Sequence, residues 1–241
     1  MISSKKIKLG SKNYLVIDLS QPLKLDIEVY PGDPKPKRKV FCEIDKTGWH
    51  HFIHEIGDHN FQPHADGPNH QNPDMKDQGI EFFGLEYFFN QGILIDLSST
   101  NKVQEFEGIK YLIEVTKADL KPFVKQLSEK GAVIIRTGYD KWLEANKPHT
   151  PKNLPYLTKE AAEYLASFKN IKVVGVDTLT VDPVGKHASH QALKDKLIVE
   201  SMVHLGNIPK ENREDFTLQT SPLKIVGATG GPVVAYALIE L

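Results

Sequence analysis

Cysteine is nearly missing from this chain: Cys42 is the only one in 241 residues. No intramolecular disulfide can form, which points to a reducing compartment, and no histidine motif surrounds the thiol to make it a nucleophile. Charge of one sign is missing too. Lys and Arg total 30 against 31 Asp and Glu, a formal net charge of −1. That balance removes the electrostatic case for nucleic acid or an anionic membrane as the main partner. No apolar run approaches the roughly 18 residues of a membrane helix, and Met1-Ile-Ser-Ser-Lys-Lys6 lacks the apolar core of a signal peptide. A cytoplasmic protein is expected. A Gly-x-Ser-x-Gly elbow is absent, and Ala228-Thr-Gly-Gly231 lies too near the C-terminus to open a phosphate-binding helix.

Composition is otherwise ordinary, with 40% hydrophobic and 25% charged residues, and the chain is long enough to bury a core without staples. Nothing repeats and no Gly/Ser-rich linker divides it, so one α/β domain over 1–241 is expected, mainly β in its N-terminal part. Tyr14–Leu19 and Leu25–Val29 read as strands, and Phe41 to Ile56 as a further strand pair. Gly92–Leu97, Ala132–Ile135 and Ile171–Val176 are the short apolar runs of strands covered on both faces. Thr116-Lys-Ala-Asp119 resembles a capping box that opens a helix, and a second helix starts near Thr158. Strand, helix, strand in that order argues for parallel crossovers. Ile80 to Phe89 holds five aromatics; core packing is expected of them, with the wall of an aromatic substrate pocket as the alternative.

The chemistry concentrates in Asn60-Phe-Gln-Pro-His64-Ala-Asp66-Gly-Pro-Asn-His70. Pro63 and Pro68 rule out a helix interior. In an extended backbone side chains alternate, so Asn60, His64 and Asp66 share one face, and Gly67-Pro68 turns His70 back toward it. Imidazole and carboxylate on one rigid segment suit a divalent metal such as zinc or manganese. Farther along, His187-Ala-Ser-His190 and Leu197-Ile-Val-Glu200 add donors. Glu200 ends an apolar strand, where a lone carboxylate is costly unless it is paired or bound to a metal. A metal site drawn from distant segments is expected, with Glu200 or Asp66 orienting a water and His70 protonating a departing amine.

In their shared order these segments resemble the metal-dependent cyclase-like hydrolases, the family of bacterial kynurenine formamidase and isatin hydrolase. Its signature His-x-Gly-Thr-His-x-Asp-x-x-x-His lies in register over Asn60 to His70. The resemblance runs on through Asp18-Leu-Ser-x-Pro-Leu23, Tyr30-Pro-Gly-Asp33, Ile95-Asp-Leu97, Arg136-Thr-Gly138, Gly175-Val-Asp177, Thr180-x-Asp182 and Gly231-Pro232. It implies a swivelling β/β/α fold, a homodimer or homotetramer, and hydrolysis of an amide or lactam C–N bond in a small molecule. It further implies His64, Asp66, His190 and Glu200 as metal ligands, Asp66 able to bridge two ions, and His70 as the catalytic histidine beside Glu200. His187 competes with His190, because the spacing to Glu200 is shorter than in the family.

The chain departs from the signature at two places. Asn60 stands where the family has its first histidine, and Gln62-Pro63 replaces Gly-Thr. Asn60 is the ligand that register assigns, though an amide oxygen binds zinc less well than imidazole. His59 would point to the opposite face of a strand unless a bulge re-aims it. One firmly held ion on Asp66, His190 and Glu200 is therefore expected. The alternatives are a dehydratase, isomerase or cyclase using the same metal, or a binding protein that has lost it.

Overall fold

Four apolar runs form the parallel centre of the structure, a computed structural model that describes residues 4–150 and 152–241. Met1 to Ser3, the start of the segment read for a signal peptide, lie outside them. In chain order the strands are β1 (Ser4–Leu9), β2 (Lys12–Asp18), β3 (Lys37–Cys42), β4 (His51–Glu55), β5 (His64–Asp66), β6 (Phe89–Asp96), β7 (Gln104–Phe106) and β8 (Ile109–Tyr111). They continue as β9 (Glu114–Val115), β10 (Ala132–Arg136), β11 (Tyr156–Leu157), β12 (Val173–Val176), β13 (Leu197–Glu200), β14 (Phe216–Pro222) and β15 (Gly230–Glu240).

β6, β10, β12 and β13 pair in parallel, as the strand–helix–strand order requires. β14 and β15 add antiparallel beside β6. β5 pairs with both β13 and β15, which closes seven strands into a barrel without free edges. β1 and β2 extend outward from the C-terminal half of β15. The mixed α/β class expected from the sequence is the one observed. β3 and β4 form a hairpin of their own, with Phe41 and Trp49 exposed. No helix among the described residues is long and apolar enough to cross a membrane.

Side-chain alternation along the closed sheet yields two cores. Leu94, Ile134, Val199, Phe216 and Leu218 fill the barrel, while Ile93, Ile135, Val174 and Ile198 face outward under helices 117–120, 124–129 and 159–166. Gly175 leaves room that a side chain would take: its Cβ would lie 2.6 Å from Met202 Sδ. Ile134 is fully buried beside it. Truncation there should leave a cavity, so Ile134→Ala is expected to cost about 2–5 kcal/mol. A lower urea midpoint at unchanged slope would show it, and an unmoved midpoint would count against this packing.

Local signals mostly held. Asp119 Oδ2 accepts from the Thr116 amide at 2.9 Å, the expected box, and Thr158 Oγ1 accepts from the Ala161 amide at 3.2 Å. The first helix is broken into 117–120 and 124–129 by a 3₁₀ turn at Lys121–Phe123, where Pro122 has no amide hydrogen. Leu25–Val29 is not a strand. Prolines at 22 and 31 bracket it, the Ile27 amide turns back to the Lys24 carbonyl at 3.3 Å, and Glu28 and Val29 are laid along a cleft. The aromatics of 80–89 do not wall that cleft: Phe83 and Phe88 are buried in the barrel core, and Phe82 and Phe89 are exposed.

Three short family segments meet in a buried polar knot at the ends of β6, β10 and β12. Arg136 donates to Asp140 at 2.9 Å and to Asp96 at 3.1 Å. Asp177 accepts from the amides of Thr137 and Gly138 at 2.9 and 2.8 Å. Burial, with Asp140 close by, pushes the Asp177 carboxyl up to about 7. Gly138 sits at φ +102°, and a Cβ there would lie 2.8 Å from the Lys110 carbonyl oxygen. This knot fixes where the loop to Asp182 begins.

Candidate metal centre

β5 is only three residues long, yet it decides the site. Ala65 points into the barrel, so His64 and Asp66 point out of it. Register sets His64 opposite Glu200 on one side and Pro232 on the other. His64 Nε2 lies 3.4 Å from Glu200 Oε2 and 3.7 Å from Asp66 Oδ1. His190, on the short helix Ala188–Ala192, closes the group: its Nε2 lies 3.2 Å from Asp66 Oδ2 and 3.4 Å from Glu200 Oε1. All four side chains are buried. The lone carboxylate at the end of an apolar strand thus has its partners, and the Val181 amide donates to Oε1 at 2.6 Å.

Asn60 is not placed as its register suggested. Residues 57–60 form a turn: the Asn60 amide donates to the Gly57 carbonyl at 3.1 Å, and Asn60 Oδ1 accepts from the Gly57 amide at 2.9 Å. The side-chain oxygen is thereby committed to the backbone. The same turn takes His59 off any strand and swings it toward the site, with Nδ1 3.2 Å from Asp66 Oδ1 and Nε2 3.1 Å from Thr229 Oγ1. With an imidazole in that place, the reason for expecting a single ion falls away. His59→Ala is expected to lower the metal held per chain after dialysis, while Asn60→His gains none. Metal analysis of both variants decides this, and full retention by His59→Ala would exclude His59 as a ligand.

His187 does not compete with His190. It is exposed, and its Nδ1 hydrogen-bonds Gln71 Oε1. A residue whose role the sequence did not reveal explains why His190, and not His187, faces Asp66. Asp182 Oδ1 accepts from the Ser189 amide at 2.8 Å, and Oδ2 from the His190 amide at 3.0 Å, so one carboxylate anchors the helix start. The same Oδ2 holds His190 Nδ1 at 2.6 Å and aims Nε2 at Asp66. Such outer partners fix the ring and tautomer of a ligating histidine.

Electrostatics follow from burial and crowding. Burial works to raise Asp66, but the hydrogen bond with His190 and the nearby imidazoles of His59 and His70 outweigh it and hold the carboxyl well below the usual range. Burial works to lower His190, but hydrogen bonds to Asp182, Asp66 and Glu200 lift it well above the usual range. His64 is raised as well: burial opposes, and Glu200 and Asp66 prevail. His70 behaves oppositely, because burial drives it down to about 4 despite Asp66. It lies against His59, with ring centroids 4.0 Å apart.

This donor set fits a divalent ion. Asp66 Oδ1 is buried without a hydrogen-bond partner, although imidazole nitrogens face it. Two overlapping groups share Asp66, one with His59 and His64 and one with His70 and His190, each with donor atoms within 4.8 Å of one another. Binding of a divalent ion here would have to displace any protons these imidazoles carry.

Fold and donors together define a candidate divalent-metal protein built on a closed, mixed β-barrel. The chain belongs to the putative cyclase family, whose sequence profile matches residues 17–183. It is 25% identical to a kynurenine formamidase of Bacillus cytotoxicus over 222 residues, which covers 91% of this chain and 95% of that one. Isatin hydrolase A from Labrenzia aggregata, solved with benzyl benzoate, shares the fold at a TM-score of 0.76 and 21% identity, covering 95% and 94% of the two chains. A structure described as a potential metal-dependent hydrolase with cyclase activity matches at 0.70 and 22%, covering 93% and 98%.

Proposed function

We propose that this chain is a metal-dependent hydrolase of amide or lactam C–N bonds in small molecules, with zinc or manganese as its ion. The observation that carries this reading is a buried carboxylate shared by two donor groups, beside a cleft of about 300 Å³ lined by His59, His64, His70 and Glu200. Kynurenine formamidases among its relatives and isatin hydrolases among its fold neighbours support the same bond class.

His59, His64, Asp66, His190 and Glu200 are the residues that would hold metal. A bound divalent ion polarises the scissile carbonyl and lowers the pKa of water toward 7. The remaining work falls to the chain. His70, neutral at pH 7 because it is buried, takes a proton from the attacking water and delivers it to the departing nitrogen. The C–N bond breaks, the carbonyl carbon leaves as a carboxylate, and the nitrogen leaves as an amine. Val29, Tyr30, Phe61 and Leu179 on the cleft wall suit a flat apolar body beside the amide. The assembled donor set weighs against a relative that has lost its metal.

The protein stripped by a chelator and reloaded with zinc or manganese should hydrolyse an N-formyl aryl amine or isatin, and the stripped protein should not. Fully loaded protein inert toward both would overturn the bond class and favour a lyase or isomerase on the same scaffold.

A further inference from the structure

We infer that Asn146 is a positioning residue whose side-chain amide stands in for a missing strand and holds the apolar wall of the cleft in place for an aryl substrate. The inference deepens the hydrolase reading above and rests on it, since that wall is the one assigned to the flat body beside the amide. Residues 25–29 alternate like a strand but lie in no sheet, so their amides and carbonyls need other partners. The Glu28 amide donates to Asn146 Oδ1 at 2.9 Å, and Asn146 Nδ2 donates to the Asp26 carbonyl at 3.2 Å. Residues 26 and 28 are two apart, the spacing at which a strand offers a carbonyl and an amide to the same neighbour. Both partners are main-chain groups with fixed roles, so the side-chain amide fits in one orientation only. Gln62, where the chain departs from the family signature, adds a longer contact from its Nε2 to the Glu28 carbonyl at 3.4 Å.

Placement supports a role beyond packing. Glu28, Val29 and Tyr30 line the cleft and Asn146 does not, so Asn146 acts through the wall. Ile27, between the two gripped groups, is buried, and Tyr30 packs against the core that contains Trp142 and Leu143. Those two residues belong to the helix Asp140–Glu144, whose first carboxylate is held by Arg136 in the polar knot. Just past that helix, the Asn146 amide turns back to the Leu143 carbonyl at 2.9 Å, and its backbone takes φ +49°. Asparagine tolerates this left-handed conformation better than most residues, and here it brings the side chain to residues 26–28. Knot, helix and amide form a continuous path from the barrel to the cleft wall.

The test uses zinc-loaded protein and two variants. Asn146→Gly keeps the left-handed backbone and removes both bonds. Asn146→Asp keeps an acceptor for Glu28 but sets a second oxygen against the Asp26 carbonyl. In Asn146→Gly, KM for an N-formyl aryl amine should rise about 10-fold, the size expected of one to two hydrogen bonds, with kcat and metal content nearly unchanged. Asn146→Asp should show a smaller rise. Activity toward N-formyl methylamine, which has no aryl body for the wall to hold, should stay at the wild-type level. Amide exchange at Glu28 should quicken by at least about 10-fold in Asn146→Gly. An unchanged KM for the aryl amine, a fall in kcat in its place, equal losses on both amides, or unchanged exchange at Glu28 would overturn the inference. If neither N-formyl aryl amine nor isatin is hydrolysed, the hydrolase reading fails, and the Kd of isatin for the zinc-loaded protein decides the role of Asn146. A Kd about 10-fold weaker in Asn146→Gly would uphold the hold on the wall, whereas an unchanged Kd, or no binding by the wild type, would overturn it.

Discussion

Asp66→Asn is expected to lose both metal and turnover. Asp66 is the one side chain common to the two donor groups, with Oδ2 3.2 Å from His190 and Oδ1 3.2 Å from His59. Exchange for an amide keeps the shape and removes the charge, and it turns an NH₂ toward nitrogens that should face a cation. The fall in turnover should exceed roughly the 10²-fold that bounds residues which only orient a ligand. Metal content after dialysis and kcat on the reloaded protein measure it, with circular dichroism to confirm folding. A folded variant that keeps its metal and most of its turnover would remove Asp66 from the centre of the site.

His70→Ala should separate chemistry from binding. Turnover is expected to drop on the order of 10²- to 10⁴-fold, the range for a positioned acid–base group, while metal stays near the wild-type level. The distinction matters because His70 is also close enough to Asp66 and His190 to be a ligand. Its place on the cleft wall and its depressed pKa favour the proton-transfer role. Loss of metal together with turnover would assign it to the donor set instead.

Much of this site was readable before any coordinates. His64 and Asp66 share a face because a strand repeats every two residues, and Glu200 was conspicuous because an apolar strand does not end in a carboxylate without cause. One capping box, a second N-terminal cap and the apolar runs located the helices and the parallel centre. Asn60 and His59 were exchanged because a single turn at 57–60 decides between them, and that turn depends on an amide capping its own backbone. Leu25–Val29 alternates like a strand, but no partner strand pairs with it, and alternation without pairing is no strand. Asp182 was visible only as part of a family segment. Its hold on His190 depends on a five-residue helix with no periodic signal.

The three residues of β5 complete the barrel wall and also present His64 and Asp66. The barrel is thus a hoop whose clasp is the candidate metal site. Anything that binds the folded clasp and not the open chain shifts the folding equilibrium by mass action. Free metal at 100 times its Kd adds about 2.7 kcal/mol, and each further tenfold adds about 1.4. A chelator then acts as a denaturant aimed at one seam, and amide exchange should quicken first where β5 meets β13 and β15. For such a hoop, stability would be partly a property of the surrounding solution: an ion held at β5 would also keep the wall from parting.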